Sequence, residues 1–210
     1  MDTLLHICCA PCAIYPVEAM REEGHKVSGY FYNPNIHPYS EYLKRKSAVE
    51  SFAGKTGLGV AYGDYDVESY LQNIVYGEEA GSTARAKEVR CPACWWMRLV
   101  KAAAYARENG FEAFTTTLLG SPYQDTAAIQ SIGHEVAKNA GLKFIAADFA
   151  KGFNEAHDRA KAEGIYCQNY CGCLFSEIER LDAKSRRAAG AAPEITVSVK
   201  GGGKKIRCSI

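Results

Sequence analysis

The sequence predicts an α/β fold in which helices cover both faces of a parallel sheet. Short apolar segments alternate with helical segments along the chain, which is the order typical of strand–helix–strand units. The strand segments are almost continuously apolar, and this indicates that both faces of the sheet are buried. The links between segments are short and contain glycine. A chain of 210 residues is long enough for one domain with a hydrophobic core of its own.

The five strands are predicted from short runs of apolar, β-branched and aromatic residues. They are expected at Thr3–Cys8, Lys26–Tyr32, Val60–Tyr65, Ala113–Leu119 and Lys143–Ala147.

The helices are predicted from apolar residues at helical spacing, and glycine follows three of them at the position where helices commonly end. They are expected at Ala13–Glu23, Glu41–Lys55, Val67–Val75, Trp95–Asn109, Ala127–Asn139, Asn154–Glu163 and Phe175–Arg187. We therefore predict a single α/β domain over residues 1–187. The remaining segment, 188–210, changes to a Gly/Ala-rich composition and then to the basic run Lys200–Arg207, and it is predicted to be a partly ordered tail.

The bulk composition is that of a water-soluble globular protein, with 47% hydrophobic and 23% charged residues. No uninterrupted apolar stretch approaches the roughly 20 residues that span a bilayer, and the first residues have no basic segment typical of a signal peptide. We expect a cytoplasmic protein without a membrane partner. The formal net charge of +1 neither favours nor excludes a nucleic acid, so binding to RNA would depend on local basic patches.

Polar and sulfur-containing segments follow four of the predicted strands. These segments are Cys8–Cys12, Asn33–His37, Asp64–Asp66 and Gly120–Gln124. Because the carboxyl ends of parallel strands share one edge of the sheet, and ligands of such folds bind there, we expect these segments to form a site together.

Eight of the nine cysteines fall into three groups. In a reducing compartment, clustered cysteines more often bind metal or perform redox chemistry than form disulfides. Soft thiolates favour zinc, copper(I) or iron–sulfur centres. The groups are Cys8, Cys9 and Cys12; Cys91 and Cys94; and Cys167, Cys171 and Cys173.

The number of sulfurs exceeds what one tetrahedral zinc ion can use. Cys8 and Cys9 are adjacent, and side chains alternate along an extended chain, so we expect these two to point to opposite sides. Two metal centres that lie side by side would explain the number of cysteines and the adjacency of Cys8 and Cys9. A structural zinc site, inert buried cysteines, and a thioredoxin-like dithiol at Cys91 and Cys94 remain alternatives.

Several sequence motifs together resemble the QueH family of epoxyqueuosine reductases. The similar region runs from Thr3 to Ser176, in matching order. Its motifs are Leu5–Cys12, Tyr32–Pro38, Cys91–Trp95 with Arg98, Phe114–Leu119, Ser121–Gln124 and Gln168–Cys173.

The resemblance implies a Rossmann-like sheet of the HUP (adenine nucleotide α-hydrolase-like) kind and the last step of queuosine synthesis. In that step the epoxide of epoxyqueuosine, at the wobble position of a tRNA anticodon, is reduced to the alkene. It also implies a [4Fe-4S] cluster beside a second, mononuclear iron without cobalamin, and an electron donor that the sequence does not identify. Cys167 and the tail with Cys208 depart from the family pattern.

Within this interpretation the cysteines are divided between two metals by their adjacency, and the division could be exchanged. We expect the cluster on Cys9, Cys91, Cys94 and Cys173, and the second iron on Cys8, Cys12 and Cys171. A nearby acid must protonate the departing oxygen. The candidates for catalysis are His6, His37, Asp64 and Tyr123. The candidates for substrate binding are Asn33, Asn35, Arg98, Thr116 and Gln124.

Each polar candidate has a purely structural alternative. His6 could be a hydrogen-bonded core residue, Asn33 and Asn35 could shape a turn, Thr116 could be a strand former, and Asp64 and Asp66 could cap the following helix.

RNA contacts are expected from basic segments and from aromatic side chains on which a base could stack. The basic segments are Lys44–Lys46, whose alternative is a solvated helix face, Arg85–Arg90 and Lys200–Arg207; the aromatic candidates are Tyr32, Tyr39 and Tyr123. A zinc-stabilised RNA-binding module is the alternative function outside the enzymes. An ATP-using α-hydrolase is disfavoured because Cys-Cys-Ala-Pro-Cys replaces the phosphate loop after the first strand.

Overall fold

The structure is a computed structural model that describes residues 1–76 and 86–188. The tail segment 189–210 with Cys208, the Gly77–Gly81 loop and Arg85 lie outside the described residues.

A five-stranded parallel sheet forms the centre of the fold, and the predicted α/β class is confirmed. The strand order is β3-β2-β1-β4-β5, and each neighbouring pair runs parallel. The strands are β1 (Asp2–His6), β2 (Lys26–Phe31), β3 (Val60–Tyr62), β4 (Ala113–Thr116) and β5 (Lys143–Phe144).

Helices connect the strands and form two groups on the sheet. The helices are α1 (Ala10–Glu22), α2 (Tyr39–Thr56), α3 (Val67–Tyr70) with a π-helical continuation at Leu71–Val75, α4 (Lys87–Glu108), α5 (Thr126–Ala140), α6 (Phe153–Ala162) and α7 (Leu174–Ala188). Helix α1 packs on β2, α2 and α6, whereas α4 packs on β1, β4 and α5. Because parallel strands are joined by right-handed crossovers, the two groups cover opposite faces.

The core between these layers is apolar, as the strand composition predicts. Leu4, Leu5 and Phe114 are completely buried. Packing between α5 and the sheet is close at Gly133, where an added Cβ would lie 2.4 Å from Cζ of Phe144. Among the described helices, none is both long enough and apolar enough to cross a membrane.

Strand β4 and helix α4, both near cysteines, differ from the sequence prediction. Strand β4 ends at Thr116, because Oγ1 of Thr116 accepts the N–H of Leu118 and the chain turns into a 3-10 helix at Thr117–Gly120. Helix α4 begins at Lys87, well before the predicted start at Trp95. The sequence misled here because Pro92 lies inside this helix, where proline is normally unfavourable. Cys91 and Cys94 are therefore helical residues.

Candidate metal centre and substrate cavity

A cavity of about 560 Å³ opens at the carboxyl end of the sheet. The chain after β1 contributes Cys8 and Cys12 to its wall, and the chain after β4 contributes Leu118 and Ser121. Strand order reverses between β1 and β4, and the crevice at such a switch point is the usual ligand site of open α/β sheets. The fold therefore places a cavity where the sequence predicts a site.

The turn from β1 into α1 brings three thiols together. The Sγ atoms of Cys8, Cys9 and Cys12 all lie within 4.8 Å of one another, and those of Cys8 and Cys9 are 3.7 Å apart. The expectation that Cys8 and Cys9 point to opposite sides is thus wrong. Strand β1 ends at His6 and α1 begins at Ala10, so both cysteines occupy a strand-to-helix turn in which the alternation of an extended strand no longer applies. Three sulfurs at this separation could hold one metal ion.

Hydrogen bonds make Cys8 the strongest acid of the three thiols. The thiols of Cys12 and Cys9 stabilise its thiolate and hold the pKa of Cys8 well below its ordinary value. The hydroxyl of Thr117 also donates to Sγ of Cys8, at 3.2 Å. Burial raises the pKa of Cys9, and the interaction with Cys8 raises that of Cys12. Because metals bind thiolates, Cys8 is the thiol of the three that could most readily serve as a ligand, and a cation would have to displace protons from the other two.

A second group of cysteines lies where α4 meets the segment before α7. Burial, together with the nearby charges of Cys171 and Cys173, raises the pKa of Cys91 to about 11 and that of Cys94 to about 12. Cys94 and Cys173 are buried in one apolar cluster with Tyr70. Cys171 is exposed and lines the cavity beside Cys8 and Cys12. Among the described residues, the sulfurs of Cys8, Cys9 and Cys12 thus form a close group, and the other four of these cysteines are near enough for their charges to interact.

Arg98 supplies a buried positive charge between these groups. Its side chain is 1% exposed, its Nε donates to the carbonyl of Cys94 at 3.3 Å, and its Nη1 donates to Oδ1 of Asn33 at 3.4 Å. Its Nη2 is buried without a partner among the described residues. Burial lowers the pKa of Arg98, but the charges of Cys94, Cys171 and Cys8 outweigh burial and raise it.

A buried guanidinium needs nearby negative charge. No carboxylate pairs with Arg98 in the described part of the chain. A metal held by several thiolates is anionic and would supply the missing charge. The donor set, with Cys8, Cys12 and Cys171 at the cavity wall and the thiol of Cys9 within 4.8 Å of those of Cys8 and Cys12, therefore fits a metal bound by thiolates.

Arg45 is a second buried cation. The suggestion that the Lys44–Lys46 segment forms a solvated helix face is therefore wrong for Arg45. Its side chain is 2% exposed, and Nε donates to Oε1 of Glu41 at 2.8 Å. The residues on either side of it, Lys44 and Lys46, are exposed and half-buried.

His6 lies at the end of β1, completely buried. Its Nε2 donates to the carbonyl of Tyr32 at 3.1 Å, and its Nδ1 accepts from the hydroxyl of Thr116 at 2.8 Å. Burial and the charge of Arg98 lower the pKa of His6 to about 4. The neutral ring thus connects the ends of three neighbouring strands, and neither His6 nor Thr116 lines the cavity.

The segment after β2 places one of its two asparagines in the cavity wall. Asn33 lines the cavity and donates from Nδ2 to the carbonyl of Ile7 at 2.8 Å. Asn35 and His37 are not among the residues that line the cavity. Oδ1 of Asn35 and Nε2 of His37 are buried without partners among the described residues, whereas Nδ1 of His37 is 3.2 Å from the hydroxyl of Tyr65. Burial lowers the pKa of His37.

Asp64 lies apart from the cysteines. It lines a different cavity of about 330 Å³, together with Tyr32, Asp66 and Lys101. Asp66 caps α3 by accepting the N–H of Ser69 at 3.2 Å, which is the structural role that the sequence offered as an alternative for the two aspartates.

Tyr123 and Gln124 line the cavity, as the sequence predicts. Tyr123 is 75% exposed, and its ring stands edge-on to Phe153 with centroids 6.2 Å apart. Gln124 accepts from Nε1 of Trp95 at 3.0 Å and donates to Sγ of Cys171 at 3.5 Å. Trp95 therefore packs in the core and also fixes a side chain beside a cysteine.

The structure adds cavity residues that the sequence did not single out. One wall comes from α6, which contributes Phe153, His157 and Lys161. Nδ1 of His157 donates to the carbonyl of Phe153 at 2.9 Å. Gln168 also lines the cavity and donates to Sγ of Cys9 at 2.8 Å. Gln168 belongs to a motif that the sequence contains, whereas nothing in the sequence of α6 distinguishes it from an ordinary amphipathic helix.

Comparison with known proteins gives one consistent result. The family model described as "Epoxyqueuosine reductase QueH" matches residues 3–179. A protein of that name from Thermotoga maritima is 38% identical over 179 residues, covering 84% of this chain and 91% of the relative. One from Dehalococcoides mccartyi is 35% identical over 178 residues, covering 84% and 93%. One from Helicobacter pylori is 38% identical over 192 residues, covering 87% of this chain and 51% of the relative.

Proposed function

The chain belongs to the epoxyqueuosine reductase QueH family, and on that premise we propose that it reduces epoxyqueuosine to queuosine in tRNA. The observation that carries the proposal is that Cys8, Cys12 and Cys171 line one cavity at the switch point of the sheet, with the thiol of Cys9 within 4.8 Å of those of Cys8 and Cys12. The reaction takes two electrons and two protons, breaks both C–O bonds of the epoxide, and releases water and an alkene.

The grouping of the cysteines supports two metal sites. We assign a [4Fe-4S] cluster to Cys91, Cys94, Cys171 and Cys173, because a cluster of this type takes four thiolates. We assign the second, mononuclear iron to Cys8, Cys9 and Cys12, whose sulfurs converge on one point. When bound, the cluster and the iron would supply electrons and Lewis acidity at the cavity. The division expected from the sequence placed Cys9 on the cluster and Cys171 on the second iron. The present assignment exchanges these two cysteines.

The chain's own side chains would orient the substrate. A wobble nucleotide must leave its stack to enter a cavity of this kind, and an aromatic side chain at the entrance lowers the cost. Tyr123 is exposed at that position. Arg98, Asn33 and Gln124 would donate N–H groups to substrate oxygens from the wall. Asn35 and Thr116, which do not line the cavity, would act by holding this wall in place.

A proton must reach the departing oxygen. Of the four candidates from the sequence, Tyr123 is the one that lines the cavity in the described part of the chain, so we assign proton donation to its hydroxyl. His6 has both ring nitrogens engaged, and Asp64 lines a different cavity. We infer that His6 and His37 support the site and that Asp64 lies outside it. A tRNA substrate and an external electron donor would place the protein in the cytoplasm.

The test is mass spectrometry of nucleosides from epoxyqueuosine-containing tRNA after incubation with anaerobically reconstituted, reduced protein. We expect loss of one oxygen atom from the modified nucleoside. Cys94→Ser should lose the product and most of the cluster iron. The matched control is Cys167→Ser, because Cys167 bonds only to the nearby carbonyl of Ile165 in the described part of the chain. Conversion by iron-free protein, or stoichiometric zinc in its place, would refute the proposal and favour the zinc-stabilised RNA-binding module.

A further inference from the structure

The segment that carries Cys171 and Cys173 has no regular secondary structure to hold it. It lies between α6 and α7, and its backbone carbonyls are bonded by residues that are distant in sequence. Arg45 donates to two successive carbonyls, from Nη2 to Tyr170 at 3.1 Å and from Nη1 to Cys171 at 2.9 Å. The next carbonyl, of Gly172, accepts the N–H of His37 at 2.8 Å.

The guanidinium of Arg45 is itself held in one orientation. Its Nε donates to Oε1 of Glu41, one turn earlier on α2, at 2.8 Å. The other oxygen of Glu41 accepts the hydroxyl of Tyr166 at 2.6 Å. The guanidinium carbon lies 5.2 Å from the centroid of the Tyr170 ring. All three nitrogens of the fork are therefore engaged, and a rigid fork binds several acceptors in a fixed geometry.

The cysteine segment lies directly against this side chain. A Cβ added at Gly172 would be 3.1 Å from Nη1 of Arg45 and 3.0 Å from Cγ1 of Ile36. Arg45 and Ile36 are both buried. The segment therefore rests on a surface that cannot move away without breaking the bonds of Arg45.

We propose that Arg45, oriented by Glu41, is the positioning residue that holds Cys171 and Cys173 where they can ligate metal. The proposal rests on the proposed function only in so far as these two cysteines bind the cluster. Arginine is required because one ammonium group cannot satisfy two carbonyls and a carboxylate in a single plane. Arg45 also lines the cavity, and the role proposed for its guanidinium is exerted through the backbone carbonyls of the ligand segment.

Arg45→Lys tests the proposal because it keeps the charge and removes the fork. The protein is reconstituted anaerobically, and three quantities are measured: iron and labile sulfide per chain, the rate of iron release to a chelator, and the thermal midpoint of the metal-free protein. The matched control is Arg21→Lys, since Arg21 is an exposed helical arginine that donates to one carbonyl, of Thr56. We expect release to be about 10–100-fold faster for Arg45→Lys, the range found when groups that orient metal ligands are removed, and unchanged for Arg21→Lys.

The outcomes separate this inference from the proposed function. If the wild-type protein binds no iron, the proposed function fails. If the wild type binds iron and Arg45→Lys releases it at the wild-type rate, the inference is overturned, even when the metal-free variant has a lower thermal midpoint. Should Arg45→Lys not fold, Glu41→Gln decides in its place. Glu41→Gln weakens the orientation of the Arg45 guanidinium but leaves the guanidinium present. Faster iron release from this variant supports the inference, and iron release at the wild-type rate overturns it.

Discussion

Gly172, between two of the proposed cluster ligands, provides the sharpest test of how that segment is built. Its φ is +130°, a backbone conformation that side chains rarely adopt. An added Cβ would also press on Ile36 and Arg45, at 3.0 and 3.1 Å. Both neighbours are buried, and Arg45 is bonded to the adjacent Cys171 carbonyl. Gly172→Ala therefore imposes backbone strain and steric crowding at the same point.

The expected loss of stability follows from these two effects. Backbone strain of this kind costs about 2 kcal/mol, and overpacking at a buried site costs about 1–3 kcal/mol. Together they predict a decrease of about 3–5 kcal/mol in the free energy of unfolding. For a domain of this size each kcal/mol lowers the thermal midpoint by roughly 2–4 °C, so the midpoint should fall by roughly 6–20 °C.

Two other glycines separate the contributions. Gly164 has φ +67° but no atom within 4 Å of an added Cβ, so Gly164→Ala should cost only about 1–2 kcal/mol. Gly54 lies within α2 with open space around it, so Gly54→Ala should gain about 0.5–1 kcal/mol.

The assay is thermal unfolding of the reduced, metal-free variants, because bound metal would add its own stabilisation. Iron content after reconstitution is measured in parallel, and we expect it to fall for Gly172→Ala alone. The reasoning is refuted if Gly172→Ala is no less stable than Gly164→Ala and also retains its full iron content.

The remaining predictions concern the cavity wall. Tyr123→Ala should raise KM for the tRNA substrate roughly 5–150-fold, since stacking of a base on an aromatic ring contributes about 1–3 kcal/mol. Tyr123→Phe should keep KM unchanged and lower kcat by roughly 10²-fold if the hydroxyl donates the proton. An unchanged kcat would show that another group donates the proton. Gln168→Met removes the N–H donor to Sγ of Cys9 and should make the reduction potential of the bound iron more negative by about 50 mV, because hydrogen bonds to metal-bound sulfur raise it. Gln130→Met, on α5, is the control, and a potential that moves equally in both variants would contradict the prediction.

The sequence was sufficient for the features that depend on local pattern. Apolar runs at strand length predicted the five strands, and parallel pairing then required Cys8, Asn33 and Gln124 to share one edge. The number and clustering of the cysteines predicted metal chemistry, because thiolate chemistry depends on residue type more than on fold. These properties follow from composition and spacing, which the chain carries before it folds.

Tertiary structure alone decided which groups meet. Cys8 and Cys9 converge because a helix begins directly after them, and Arg45 is buried because its partners, Glu41 and the Tyr170–Cys171 carbonyls, enclose it. The role of Arg45 is invisible in the sequence, where it resembles its solvated lysine neighbours. Contacts between segments more than a hundred residues apart depend on how the elements pack in three dimensions, and no local periodicity encodes that packing.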